Sequence, residues 1–194
     1  MAAERNIRSV VENNMAVTII FESHATTLDN EAKLSSGHFD VELSKFGEEQ
    51  AENLGERRKN EHFDAIFCSD LQRSYKTAEI AFRNLDVPII KDVRLREVDY
   101  GKMTRAPSHE VESKRGDFVD QPFPDGESYK EAVERIQNFL RDLLRDYDGK
   151  RVMIIGHRAT QYGLERWING VPLKEIVTAP WSWQPGWEYQ LEKI

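Results

Sequence analysis

The chain has 194 residues, a length that suits one domain and two only at a squeeze. Hydrophobic residues make up 39% and charged residues 31%, the composition of a folded domain rather than a disordered one. Lys plus Arg is 27 against Asp plus Glu at 34, a formal net charge of −7. That sign argues against a general nucleic-acid binder, whose footprint would be basic, but leaves room for a local cationic pocket.

Cys68 is the only cysteine, so neither an intrachain disulfide nor a Cys-rich metal site can form. A reducing, cytoplasmic setting is expected from this. Residues 1–15 hold no continuous apolar stretch and are read as an N-terminal extension without a leader signal. No segment approaches the length of a membrane-spanning helix, so no membrane partner is expected. Residues 16–194 are expected to form a single domain.

In chain order, Val17 to Phe21 is a β-branched and aromatic run, a buried strand ending in Glu22-Ser23-His24. A turn-rich stretch follows through Asp40, and Ser44 opens a helix running to about Asn60. Phe63 to Cys68 is a second strand, and Asp70 starts a second helix to about Asn84. Val87 to Ile90 is a third strand, with Pro88 marking an edge or a strand start. Residues 97–126 lack periodicity, carry Gly101, Pro107, Gly116, Pro122, Pro124 and Gly126, and are expected to form a lid-like insertion.

Ser128 and Glu131 make a capping box. Behind it, Ala132, Ile136, Phe139, Leu140, Leu143 and Leu144 form a helical apolar stripe. Arg151 to Gly156 is another buried strand, followed by a helix from Thr160 to Asn169 and a last strand from Trp187 to Leu191. Alternating strands and helices predict an α/β fold, a three-layer α/β/α sandwich around a mostly parallel sheet. In such folds ligands sit beyond the carboxyl ends of the strands.

Two strands end alike, IIFESHATT and MIIGHRATQ, each placing a histidine directly after the apolar run. If these strands are neighbours, roughly 4.8 Å apart, His24 and His157 share one crevice. A single histidine at a strand end is most simply a satisfied polar residue; two on matching ends argue for a site. His38, His62 and His109 have no comparable setting. After the second strand, Arg73 falls in the first turn of a helix, where the dipole disfavours a cation unless an anion binds beside it. A guanidinium matches phosphate bidentately.

On these residues the chain resembles the histidine phosphatase, or phosphoglycerate mutase-like, superfamily, over Val17 to the C-terminus. His24 with Asn30 and Ser36-Gly37 matches the family's N-terminal phosphate-binding segment, and Leu43-Ser44 with Gly47 its first helix start. Ser69 to Ser74 with Thr77-Ala78 matches the stretch of the second phosphate-binding arginine. Leu95-Arg96-Glu97 with Tyr100-Gly101 matches the acid segment, and Gly126-Glu127-Ser128 and Gly156-His157 complete the set. The resemblance implies a phosphoglycerate mutase-like fold and phosphohistidine chemistry at His24, with Glu97 as proton donor and His157 beside the reacting phosphoryl group. Arg73, Asn30, Ser36 and Gly37 are then expected to bind phosphate, with no cofactor or metal.

One departure stands out. The family's Arg-His-Gly is Ser23-His24-Ala25 here, so its first phosphate-binding arginine is missing. Arg158, directly after the second histidine, is the candidate to replace that charge, unless it points to solvent. The expected activity is hydrolysis of a small phosphorylated metabolite. The alternatives are mutase-type phosphoryl transfer, or a catalytically impaired protein that only binds a phosphate ligand. A metal site on His24, His157 and Asp29 is a weaker reading. The aromatic run from Trp181 to Trp187 is expected to bury against the core or cap a sheet edge rather than line a pocket.

Overall fold

A computed structural model describes residues 16–194; the expected N-terminal extension, 1–15, lies outside the described residues. Five strands form one sheet: β1 (Val17–Ser23), β2 (Ala65–Cys68), β3 (Ile89–Lys91), β4 (Arg151–Gly156) and β5 (Trp187–Leu191). Their spatial order is β3-β2-β4-β1-β5, all parallel except β5. The helices are α1 (Leu28–Glu31), α2 (Lys45–Arg58), α3 (Gln72–Phe82), α4 (Ser108–Lys114), α5 (Tyr129–Asp146), α6 (Arg158–Trp167) and α7 (Leu173–Thr178).

Strand alternation divides the core in two. Val17, Ile19 and Phe21 of β1 face the larger cluster, packed on the α5 stripe (Ile136, Phe139, Leu140, Leu143). Ile20, Ile66, Met153 and Ile155 face the other side, against Leu54 of α2 and Ala78 and Phe82 of α3. The sheet is thus sandwiched between two helical layers, the expected three-layer, mostly parallel architecture. No helix among the described residues is long and apolar enough to cross a membrane.

Local chemistry sets the element ends. Ser44 caps α2, its hydroxyl accepting from Gly47 N–H at 3.1 Å. Gly47 has no room for a Cβ, because the Thr26 carbonyl of the loop after β1 lies against it. The Ser128–Glu131 capping box opens α5 as expected. Pro88 does border an edge strand, but β3 begins two residues later and ends one later than expected; the proline has no N–H to donate, while its carbonyl accepts from Ile66 N–H. The last helix of the α/β alternation begins at Arg158, two residues earlier than expected, because Thr160 closes a capping box on His157.

Three short helices went unread. The turn-rich stretch after His24 holds α1, capped reciprocally by Thr27 and Asn30. The aperiodic 97–126 segment holds α4, and α7 follows Pro172. Helices this short bury too few residues to leave a periodic signal; only Val111 is buried in α4 and only Val177 in α7.

Chain order leaves β1 and β4 side by side at the centre, with Ser23 in register with Gly156. The next residue of each strand is a histidine. Their carboxyl ends lie where the path of the sheet reverses, the standard place for a ligand crevice.

Candidate active site

A cavity of about 700 Å³ opens over these strand ends. His24, Ser23, Asn30, Ser36, Gly37, Arg73, Glu97 and Arg158 all line it. His157 packs directly behind His24, ring centroids 5.0 Å apart, and is buried.

His24 is fixed by its own loop. Its backbone N–H donates to Gly156 O at 3.0 Å, and its Nδ1 lies 2.8 Å from Ala25 O. A carbonyl can only accept, so Nδ1 carries the proton and Nε2 keeps a free lone pair. Ala25 N–H donates to Thr77 Oγ1, whose hydroxyl donates to the Arg73 carbonyl, tying this loop to α3. Burial, with the Arg73 charge adding to it, lowers the His24 pKa to about 3, so the imidazole is neutral at any ordinary pH.

His157 lies 2.6 Å from Ser69 Oγ through Nε2, while its Nδ1 is buried without a partner among the described residues. Burial first, and then Arg73 and His24, hold its pKa well below the usual imidazole value.

Arg73 is 2% exposed yet, among the described residues, faces no carboxylate within ion-pair distance. Its guanidinium donates to the carbonyls of Gly37 (2.7 Å) and Phe39 (3.0 Å). Gly37 takes a φ of +52°, open at little cost only to glycine, and that turn aims its carbonyl at the arginine. Burial lowers the Arg73 pKa from its ordinary value, although Glu97, Tyr100 and Asp40 oppose the shift. Two carbonyls use two of its five N–H groups. A buried cation held only by neutral acceptors is suited to an anion.

Glu97 is held by backbone alone. Oε1 accepts from Val98 N–H (2.9 Å) and Ala159 N–H (3.1 Å), and Oε2 from Arg158 N–H (3.2 Å). Two of these donors are the first residues of α6, so the helix N-terminus after β4 grips the carboxylate.

Arg158 does not point to solvent. Nε donates to Tyr162 Oη at 3.1 Å, and its carbon Cζ lies 5.5 Å from the Tyr162 ring centroid and 5.3 Å from that of Trp181. Its Nη2 is buried with no partner among the described residues. The strand alternation that would have turned it away ends at Gly156, and helical backbone begins at Arg158.

Asn30 and Ser36 carry a structural duty as well. Asn30 Oδ1 accepts from Thr27 N–H, and Ser36 Oγ donates to Asp29. Asp29, weighed above as a metal ligand, instead pairs with Arg105 at 3.0 Å. Among the described residues no cluster of three His, Cys, Asp or Glu could hold a metal ion.

Sequence reading missed Ser69 as the partner of His157, and the wall built by Tyr100, Tyr129, Tyr162 and Arg115. It also misplaced two tryptophans. Trp187 does pack on the core, against Phe21, but Trp181 and Trp183 line the cavity mouth and remain 37% and 58% exposed. Their edge strand, β5, starts only at Trp187, so the run before it is free to fold over the crevice.

The model of the histidine phosphatase superfamily (branch 1) matches residues 19–183. The uncharacterized phosphatase PhoE of Bacillus subtilis (strain 168) is 33% identical over 147 residues, covering 76% of this chain and 75% of its own. Phosphoserine phosphatase 1 of Hydrogenobacter thermophilus is 31% identical, covering 82% of this chain and 80% of its own. The solved structure of YhfR from Bacillus stearothermophilus superposes with a TM-score of 0.75 at 25% identity, covering 88% of each chain. The chain belongs to the histidine phosphatase superfamily, branch 1.

Proposed function

We propose that the protein is a metal-independent phosphomonoester hydrolase that works through a phosphohistidine on His24. The observation that carries this is the state of His24: Nδ1–H held by the Ala25 carbonyl, Nε2 unprotonated, and the ring neutral down to about pH 3. An imidazole fixed in that tautomer at the floor of a cationic cavity is a prepared nucleophile.

Nε2 attacks phosphorus as the ester P–O bond breaks. Glu97 protonates the departing alkoxide oxygen. Water then attacks the phosphohistidine, giving its proton to Glu97 as the N–P bond breaks. Alcohol and inorganic phosphate are the products. Arg73 lines the cavity beside His24, His157 packs behind it, and the two offset the charge of the phosphoryl oxygens during transfer, a job that needs no divalent ion. Asn30 and the Ser36-Gly37 turn shape the same end of the cavity.

Ser23 cannot supply the charge of an arginine. Arg158 takes that part: its side chain lines the same cavity and, among the described residues, carries no ion-pair partner and leaves Nη2 buried and unsatisfied. Ser23 favours a second reading, a phosphate-ligand binder with an impaired site, and Arg158 weighs against it. Phosphoryl transfer to a second metabolite would need an ordered acceptor in place of water. The named activity of the Hydrogenobacter relative supports hydrolysis of a small phosphorylated metabolite. The acid balance of the chain supports neither nucleic acid nor membrane as a partner, and its single cysteine suits the cytoplasm.

The test is His24→Ala assayed with excess chelator alongside the wild type. Wild-type hydrolysis is expected to survive the chelator, and the variant to lose at least about 10³-fold in kcat while keeping its fold. Turnover by the variant at the wild-type rate would overturn the proposal.

A further inference from the structure

The cavity is far larger than a phosphoryl group needs. At about 700 Å³ it falls within the roughly 300–1,000 Å³ range of sites that enclose a whole drug-sized molecule. Its outer half differs in character from its floor. Six large hydrophobic residues are exposed on the described surface, and three of them, Phe46, Trp181 and Trp183, line this one cavity. Scattered exposed apolar residues need no explanation; three aromatic side chains gathered around the mouth of one site do.

The two indoles are held in place. The Trp181 indole N–H donates to Gln161 Oε1 at 2.8 Å, and its ring stacks on Trp187 at 6.3 Å and 28°. Trp187 in turn packs on Phe21 in the core. Trp183 has the Arg57 guanidinium 5.9 Å from its ring centroid. The segment carrying both is tied to α2 by Arg58, which donates to Pro185 O at 3.3 Å. Rigid indoles presented in advance lose little entropy when a ligand covers them.

Resting on the phosphohistidine reading above, we propose that Trp181, Trp183 and Phe46 form a leaving-group subsite for a planar aromatic system. The preferred substrate is then a phosphate monoester of an alcohol that carries such a ring. The phosphoryl group sits at His24, and the ring lies across the tryptophans at the mouth. A flat π-system gains offset or edge-to-face contact with indoles that a polyhydroxylated chain does not.

The test compares three synthetic primary phosphate esters with similar leaving groups: ethyl, 2-cyclohexylethyl and 2-(1-naphthyl)ethyl phosphate. The naphthyl ester is expected to exceed the ethyl ester by about tenfold or more in kcat/KM, mostly through KM, the size of one ring stacked on an aromatic side chain. It is also expected to exceed the cyclohexyl ester, which is as apolar but not planar. Trp183→Ala and Trp181→Ala should each cut the naphthyl-to-ethyl ratio several-fold, and Trp183→Phe should retain most of it. Equal efficiency for the cyclohexyl and naphthyl esters, or a ratio that survives both alanine variants, would overturn the aromatic subsite while leaving the reaction at His24 standing. Failure of the reaction itself shows differently: none of the three esters is hydrolysed and no phosphoryl group is trapped on the protein.

Discussion

The floor and the mouth of the cavity are built in opposite ways. The floor is made of strand ends and helix starts: His24 after β1, His157 after β4, Arg73 at the start of α3 and Glu97 gripped by the first turn of α6. Arg73, Glu97 and His157 are buried, and the floor is cross-linked by short hydrogen bonds and largely backed by the sheet. The mouth is made of side chains from α2 and the loop before β5, exposed and held by a few contacts. The difference teaches that chemistry and choice of leaving group are assigned to separate parts of the fold, the first to the strand and helix ends and the second to an exposed rim.

Glu97→Gln breaks the floor without touching the mouth. Alkyl esters, which leave as poor alkoxides, should lose on the order of 10²–10⁴-fold in kcat, whereas p-nitrophenyl phosphate, which needs little protonation, should lose far less. Equal losses on both esters would remove Glu97 from proton transfer.

Arg158 lies at the boundary, sharing Tyr162 with Arg115 and touching Trp181. Arg158→Ala should lower kcat/KM by about one to three decades, at about 1.4 kcal/mol per decade. Ser23→Arg in that background should restore part of the loss. An alanine variant indistinguishable from wild type on its best ester would reject the surrogate role and favour the impaired-site reading.

The smallest effect is on stability. His157 is 1% exposed, and its folded pKa is held well below the ordinary 6.5 by burial, then by Arg73 and His24. The unfolded chain therefore binds a proton that the native protein refuses. The stability contributed is fully present above about pH 6.5 and falls as the pH drops below it, by about 1.4 kcal/mol per pH unit for this residue. Urea unfolding at pH 7 and pH 5.5 should show that loss, and His157→Gln should shrink it. An unchanged slope in the variant would assign the acid sensitivity elsewhere.

Much of the floor was legible in the sequence because it follows strand grammar. An apolar run stops, and the next residue is chemistry; His24 and His157 were found that way, and Arg73 by the same logic one turn into a helix. The three-layer sandwich followed from the alternation of elements. Ser69 was not legible, since its partner is 88 residues away and nothing local marks it. The tryptophans were misplaced for a related reason: an aromatic run beside a strand has the same composition whether it covers a core or rims a cavity. Only the position of β5, which starts at the last residue of the run, decides between them.

The central claim is that the phosphoryl group passes through Nε2 of His24. It is tested most directly by rapid quenching of the enzyme during turnover of a phosphorus-labelled ester, followed by mass spectrometric mapping of the labelled peptide. The expected result is an acid-labile, base-stable phosphoryl group on the peptide carrying His24, absent from His24→Ala and discharged by water at a rate no slower than kcat. Turnover with no label on that peptide, or with the label on another residue, would contradict it.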